Sequence, residues 1–309
     1  MQVLRSIPEL AELAGPLFLA IGVFDGVHRG HQAVISTSAR HAHAAEGTPV
    51  VVTFDPHPAK VLRANDAPHL LTAREHKIAL IRSLGVAHLL VIEFNHEFAA
   101  TPPEEFVRQL VACSRPLREI CVGHEWSFGR NRAGNLGLLK KLGAEFQFEV
   151  VGIPPVTIDG EVVSSTAIRD AVQQGNFDRA ATMLGRPYSI VGTVVAGQHL
   201  GKQFGFPTAN LSAHSEQFPP DGVYLAEAWI DGVVHHGVVN IGLRPTIQQA
   251  QPQRTIEIHL LDFDRDIYGH DMEVRFLHYL RAEKKFDDTD ALVRQIKVDV
   301  EQARKLCSA

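Results

Sequence analysis

The apolar periodicity of the chain changes once, near Gly185, and that change sets the number and kind of its domains. Before it, short apolar runs at 17–24, 50–54, 89–94, 120–122 and 146–153 alternate with helical patterns at 32–45, 73–84, 103–112 and 135–142. Short buried strands separated by helices of ~10–15 residues indicate βαβ units and a parallel sheet. After it, the runs at 188–195, 223–230, 233–241, 256–263 and 272–280 read as strands with no long helix between them. Asp231-Gly232 between two of these runs is a hairpin signal. The expectation is an α/β, Rossmann-like domain over 1–185, then a small antiparallel β-barrel or sandwich over 186–309. Two short helices at 167–174 and 177–184 lead up to the boundary, and a helix at 289–305 closes the chain. Leu292, Ile296, Val300 and Ala303 form the apolar stripe of that last helix.

Composition narrows the function classes. A net charge of -5, with 45% hydrophobic and 21% charged residues, describes a globular chain and argues against a nucleic-acid partner. It leaves room for an anionic ligand, because a phosphate site needs only local backbone N–H groups and a few cations. Three cysteines (Cys113, Cys121 and Cys307), with no Cys-x-x-Cys, speak against a disulfide framework and for a reducing cytoplasm. The first residues are broken by Pro8, Glu9 and Glu12 and make a poor signal peptide. The early apolar run at 17–24 is far short of the ~18 residues of a membrane span. A cytoplasmic monomer or weak oligomer with no membrane partner is expected. Of the 17 histidines, the pairs His41/His43 and His235/His236 read as solvated residues; His41 and His43, two apart on a helix, face different sides.

Four segments of the first half carry chemistry. In G-V-F-D-G-V-H-R-G-H (22–31), a strand ends at Gly22, turns through Phe24 and Asp25, and opens a helix. His28 and His31 share its first turn, and Gly30 lets an anion approach the backbone at the positive end of the helix. Two imidazoles and free N–H groups suit charge developing on a nucleotide phosphate. In V-S-S-T-A-I-R-D (163–170), Ser164, Ser165 or Thr166 caps a helix that carries Arg169. In T-F-D-P-H-P (53–58), two prolines stiffen a loop that holds Phe54 and His57 at the carboxyl edge of the sheet. In V-G-H-E-W-S-F-G-R-N-R-A-G (122–134), Trp126 and Phe128 offer faces to a flat ring, and Arg130 and Arg132 offer charge to a phosphate.

These four segments, in this order, resemble the nucleotidyltransferase domain of the prokaryotic bifunctional riboflavin kinase/FMN adenylyltransferases. The resemblance implies that Gly22, Phe24, Asp25, His28, Gly30, His31, Ser165, Thr166 and Arg169 bind ATP. His28, His31 and Arg169 would act in the transfer, and Phe54, His57, Trp126 and Phe128 would bind flavin. The chain departs from the family where His124 stands at a usually acidic position, followed by Glu125 and Trp126.

In the second half, residues 192–211 hold Gly192, Gly197, Gly201 and Gly205 with Lys202 among them. Glycine-rich loops of this kind cradle phosphates, although this one is not a Walker A sequence. Thr208 and Asn210 follow with the hard oxygens that Mg²⁺ accepts. The run G-x-x-L-G-K-x-x-G-F-P-T-A-N resembles the riboflavin kinase signature, and the segments at 238–247, 256–269 and 280–288 match in order. The resemblance covers about residues 17–304. It implies kinase ATP contacts at Gly197, Gly201, Lys202, Gly205, Thr208 and Asn210, with Mg²⁺ on the last two. It implies a catalytic base at Glu257 and a flavin contact at Arg281. By spacing alone, Glu257 also fits an exposed strand carboxylate between Ile256 and Ile258. The implied activity is phosphorylation of riboflavin to FMN, then adenylylation of FMN to FAD, with ATP as co-substrate of both. A monofunctional kinase with an inactive first domain, and a non-catalytic flavin-nucleotide-binding regulator, are the alternatives.

Overall fold

Alternate side chains along the central strands of the first half pack into two different cores, which is why those strands are apolar throughout. The structure, a computed structural model, describes residues 1–197, 204–214, 217–244 and 253–308. Its first part runs β1 (Gln2–Leu4), β2 (Leu17–Ile21), α1 (Arg29–Ala44), β3 (Thr48–Asp55), α2 (Pro58–Leu62), α3 (Arg74–Ser83), β4 (His88–Glu93), α4 (His96–Ala99), α5 (Pro103–Cys113), β5 (Leu117–Gly123), α6 (Leu136–Phe146) and β6 (Glu149–Ile153). The six strands form one sheet in the order β1-β4-β3-β2-β5-β6, and every neighbouring pair is parallel. Leu19, Ile21, Val52, Phe54 and Ile120 join Leu110 of α5 and Leu139 of α6 in one core. Ala20, Val51, Leu89 and Cys121 join Val34 and Ile35 of α1 and Ile81 of α3 in the other.

The strand order reverses at β2. From there β3 and β4 build to one side, while β5 and β6 build to the other. A crevice opens at the carboxyl ends of the strands at such a switch point, and ligands bind there. The segments at 22–31, 53–58 and 122–134 leave β2, β3 and β5 at those ends. The three-residue edge strand β1 was not visible as a periodic run; it pairs Gln2 with His88 of β4. His41 departs from the expected solvated state. Its Nδ1 lies 2.7 Å from Oε2 of Glu119, a carboxylate buried between α1 and β5, whose proton affinity burial pushes up. His235 is likewise partly covered, edge-on to Phe263 at 4.8 Å.

A hairpin of β7 (Thr157–Ile158) and β8 (Glu161–Val162) leads to α7 (Ser165–Gln173) and α8 (Phe177–Leu184). Then come β9 (Ser189–Val195), β10 (Ala209–Ala213), β11 (Gly222–Ile230), β12 (Val233–Arg244), β13 (Gln253–Leu260), β14 (Asp271–Arg281) and α9 (Thr289–Cys307). These strands close an antiparallel barrel in the order β10-β13-β12-β11-β14-β9. The strand β10 is a finding, since the segment Thr-Ala-Asn reads as loop by composition. Asp288 caps α9, accepting from the Ala291 N–H at 2.7 Å, and Ala303 and Val300 pack on Val223, Leu225 and Val238.

The chain separates into two compact units, residues 1–69 with 74–165 and residues 70–73 with 166–309. The break in apolar period near residue 186 lies downstream of that division, because α8 packs on the barrel. Its Phe177 stacks on Phe276 at 5.6 Å and meets the edge of Tyr224 at 5.6 Å. Gln217 N–H donates to the Leu70 carbonyl at 3.0 Å, which draws the short 70–73 segment into the second unit.

Candidate active sites

The turn between β2 and α1 is held in a conformation that most side chains avoid. Phe24 and Val27 adopt φ of 54° and 41°, in the left-handed region, with Gly26 at 84° between them. A β-branched residue there is an outlier, and such positions cost about 1–3 kcal/mol each unless the surroundings fix them. Here the surroundings do fix them. The Phe24 ring folds back over Gly22, where a Cβ would stand 2.7 Å from a ring carbon. Ser165 Oγ donates to the Asp25 carbonyl at 2.9 Å, and Gln32 Nε2 donates to the Val27 carbonyl at 2.8 Å.

His28 caps α1, its Nδ1 accepting from the His31 N–H at 3.3 Å. The two rings stack with centroids 3.5 Å apart and 19° from parallel, and Phe24 meets His31 edge-on at 5.3 Å. A Cβ on Gly30 would stand 3.1 Å from His28 Cε1, so the small residue admits the stack. Burial, and then the neighbouring His28 and Lys77, hold the His31 imidazole well below its usual proton affinity. It is therefore neutral at pH 7, and its buried Nδ1 has no hydrogen-bond partner among the described residues. The neutral His31 ring, the stacked His28, the first N–H groups of α1 and its positive dipole make a corner suited to an anion. Lys77 of α3 stands in the same corner, a residue whose place in an ordinary helical pattern gave no signal in the sequence. Ser165 opens α7; Thr166 and Arg169 follow on that helix within the second compact unit, Thr166 exposed and Arg169 partly buried.

Aromatic rings continue from this corner along the sheet edge. Phe54 packs on Phe94 and Phe98 at 6.0 and 6.1 Å, Phe98 on Phe106 at 5.7 Å, and Phe106 on Phe128 at 6.2 Å. Trp126 stacks on Phe128 at 4.5 Å and 12°. The expectation that Trp126 and Phe128 both offer a free face is corrected. Phe128 is 7% exposed, covered by Trp126 and Phe106 and pinned by two backbone bonds to Gly134, which leaves the half-buried Trp126 at the surface. His57 caps α2 by accepting from the Ala59 N–H at 3.1 Å. Arg130 and Arg132 are exposed, the latter donating to Ser127 Oγ at 2.8 Å.

The barrel holds a cleft of about 400 Å³ between its strands and α9. The strand register builds its polar floor. Glu257 of β13 stands opposite Asn210 of β10 on one side and Asn240 of β12 on the other. All three line the cleft together with Thr208, so Glu257 is not an outward strand carboxylate. Asn240 lies inside the segment 238–247, and only the register sets it beside Glu257. The Asn210 carboxamide lies over Gly197, where a Cβ would collide with it, and Glu283 lies over Gly242 in the same way. Gly205 has φ of 82°, a left-handed turn beside the cleft residues Phe204 and Phe206. Gly201 and Lys202 lie outside the described residues. Arg281 lines the cleft with its guanidinium engaged. Nε donates at 2.9 Å and Nη2 at 2.7 Å to the carboxylate of buried Asp299 on α9, which Gln295 also contacts at 2.9 Å.

Each half of the chain is similar to a known family. Residues 11–167 match the FAD synthetase family and residues 184–307 the riboflavin kinase family. The chain is 36% identical over its whole length to a bifunctional riboflavin kinase/FMN adenylyltransferase of Pseudomonas fluorescens, 98% of which is covered. It is 35% identical over 92% of its length to that of Bacillus subtilis (90% covered) and 34% identical over 99% to that of Escherichia coli K12 (97% covered). Among solved structures, a Streptococcus pneumoniae chain described as a macrolide-efflux protein superposes with a TM-score of 0.81 at 29% identity, covering 96% of each chain. Among the described residues of the present chain, no helix is long and apolar enough to cross a membrane. The two family matches fall on the two parts that carry the histidine turn and the Glu257 cleft, and with near-full-length relatives at this identity the chain belongs to the bifunctional riboflavin kinase/FMN adenylyltransferase family.

Proposed function

We propose that the chain works as two enzymes in series, a riboflavin kinase in the barrel and an FMN adenylyltransferase at the histidine turn. We assign adenylyl transfer to residues 1–185 and phosphorylation to residues 186–309. The observation that carries the kinase half is Glu257 set between Asn210 and Asn240 on the floor of an apolar-walled cleft. A carboxylate so placed can take the proton of a ribityl hydroxyl as its oxygen attacks the γ-phosphorus of ATP and ADP leaves. Thr208 and Asn210 fit Mg²⁺, since they present neutral hard oxygens beside a carboxylate, and this ion keeps most of its shell as water and substrate phosphate. The ion supplies charge neutralisation on the phosphates. The glycine-rich segment with Gly197, Gly201, Lys202 and Gly205 is assigned to the kinase ATP. The Arg281–Asp299 pair is assigned to shaping the flavin end of the cleft.

In the other half, a phosphate oxygen of FMN attacks the α-phosphorus of ATP, and pyrophosphate leaves with the displaced bond. The N–H groups at the start of α1, with His28 and His31, face the charge that develops. Thr166 and Arg169 are assigned to the same ATP. Phe54, His57 and Trp126 are assigned to the flavin, with Phe128 supporting Trp126 from beneath. The three cysteines are free thiols, which accords with a reducing cytoplasm. We assign the chain to action there as a monomer or weak oligomer on riboflavin, FMN and ATP, without nucleic-acid or membrane partners. Chromatography of the products from riboflavin, ATP and Mg²⁺ tests the reading. FAD is the expected product; FMN alone would mean a kinase with an inactive first unit, and no ATP consumption would mean a flavin-binding regulator.

A further inference from the structure

Lys77 is a buried ammonium that neither proposed reaction has yet used. It is 8% exposed. Its Nζ donates to the Val23 carbonyl at 3.3 Å, to Thr53 Oγ1 at 3.4 Å and to the Phe54 carbonyl at 3.4 Å. Thr53 Oγ1 donates to the same Val23 carbonyl at 3.0 Å, so the residue just before the strained Phe24 is gripped twice, once from β3 and once from α3. Among the described residues no carboxylate lies within ion-pair distance of Nζ. Asp25 and Asp55 favour its charge from nearby, Arg74 opposes it, and burial outweighs them all, holding its proton affinity below the usual lysine range. Three long bonds to neutral oxygens are poor compensation for the water this ammonium has lost. A methionine or leucine would fill the space without that penalty, so packing alone does not account for a lysine. What the ammonium does reach is the root of the histidine turn, and its field is felt at His31 together with that of His28.

We infer that Lys77 is a positioning residue for adenylyl transfer, tying the end of β3 to the strained turn and setting a fixed positive charge behind His31. The inference rests on the assignment of adenylyl transfer to that turn. The tether holds Val23, and through it Phe24 and the His28–His31 stack, against the carboxyl end of the neighbouring strand. The charge serves the same end in two ways. It favours an anionic phosphate in the corner, and it keeps the His31 ring neutral until that anion arrives.

The test uses the full chain with Lys77→Met and Lys77→Arg, with circular dichroism and thermal melting as the control of folding and riboflavin-to-FMN turnover as the control of the second unit. His31 is followed by NMR titration, and FAD formation from FMN and ATP is measured across pH. Lys77→Met is expected to keep FMN formation and to lose kcat for FAD formation on the order of 10²-fold, as misplacement of a reacting geometry does. Its His31 should titrate at higher pH than in the wild type, because a neighbouring cation has gone, and the kinetic limb that follows His31 should move up with it. Should Lys77→Met unfold the first unit, Lys77→Arg decides the matter. It keeps the charge without the same reach, so kcat should fall while His31 titrates as before, and wild-type kcat would overturn the tether. A folded Lys77→Met with wild-type kcat, or with reduced kcat and an unmoved His31, overturns the inference. A parallel His28→Ala/His31→Ala chain separates the two levels. If that chain still makes FAD, the site assignment itself is wrong; if it does not while Lys77→Met does, only the role of Lys77 fails.

Discussion

The imidazoles of His28 and His31 stack face to face, 3.5 Å between centroids, at the first turn of the helix that leaves the switch strand of the sheet. One ring caps the helix and the other packs on it, so the two act as one unit rather than as independent donors.

Removal of both rings should therefore separate the two activities. His28→Ala with His31→Ala is expected to lower FAD formation by at least ~10²–10³-fold, the usual effect of deleting a donor aimed at developing charge. FMN formation from riboflavin should be unchanged. Wild-type FAD output from the folded double variant would contradict the assignment.

The same burial makes a statement about acid stability. His31 binds its proton less readily in the folded chain than an unfolded imidazole does at ~6.5. Its contribution is whole above about pH 6.5 and is lost as pH falls toward the lower folded value, because the unfolded chain takes up the proton first. Calorimetry at about pH 7.5 and about pH 5 should show a smaller drop in melting temperature for His31→Gln than for the wild type. Equal drops would show that His31 is not the buried base described.

Two of the chain's central features were legible in its sequence, for physical reasons. The uninterrupted apolar runs of β3 and β4 record burial on both faces, and the loss of helical period after Gly185 records the barrel. The histidine turn showed itself because glycines and histidines at that spacing have few other uses. Lys77 did not, since a lysine within a helical pattern looks the same whether it faces water or the root of a neighbouring loop. Asn240 was hidden because only antiparallel register sets it beside Glu257. Phe128 read as a binding face because sequence cannot tell that Trp126 already covers it.

Packing of α8 on the barrel decides where the kinase can be cut. A fragment of residues 186–309 loses Phe177 and uncovers Phe276 and Tyr224, which are 1% and 0% exposed in the intact chain. Loss of one buried aromatic costs about 3–5 kcal/mol. A fragment of residues 166–309 should melt several degrees higher than the shorter one and should make FMN. Equal melting temperatures would remove α8 from the kinase unit, and a folded longer fragment without FMN formation would contradict the modular assignment.

The most direct test of two separate sites on one chain is Glu257→Gln assayed twice. Glutamine keeps the size of glutamate between Asn210 and Asn240 but takes no proton at neutral pH. Loss of a general base lowers rates by ~10²–10⁴-fold. With riboflavin and ATP, the variant should show that loss in FMN formation; with supplied FMN and ATP, it should make FAD at the wild-type rate. FMN formation at the wild-type rate would reduce Glu257 to a strand carboxylate, and a folded variant that loses both activities would contradict the separation of the two sites.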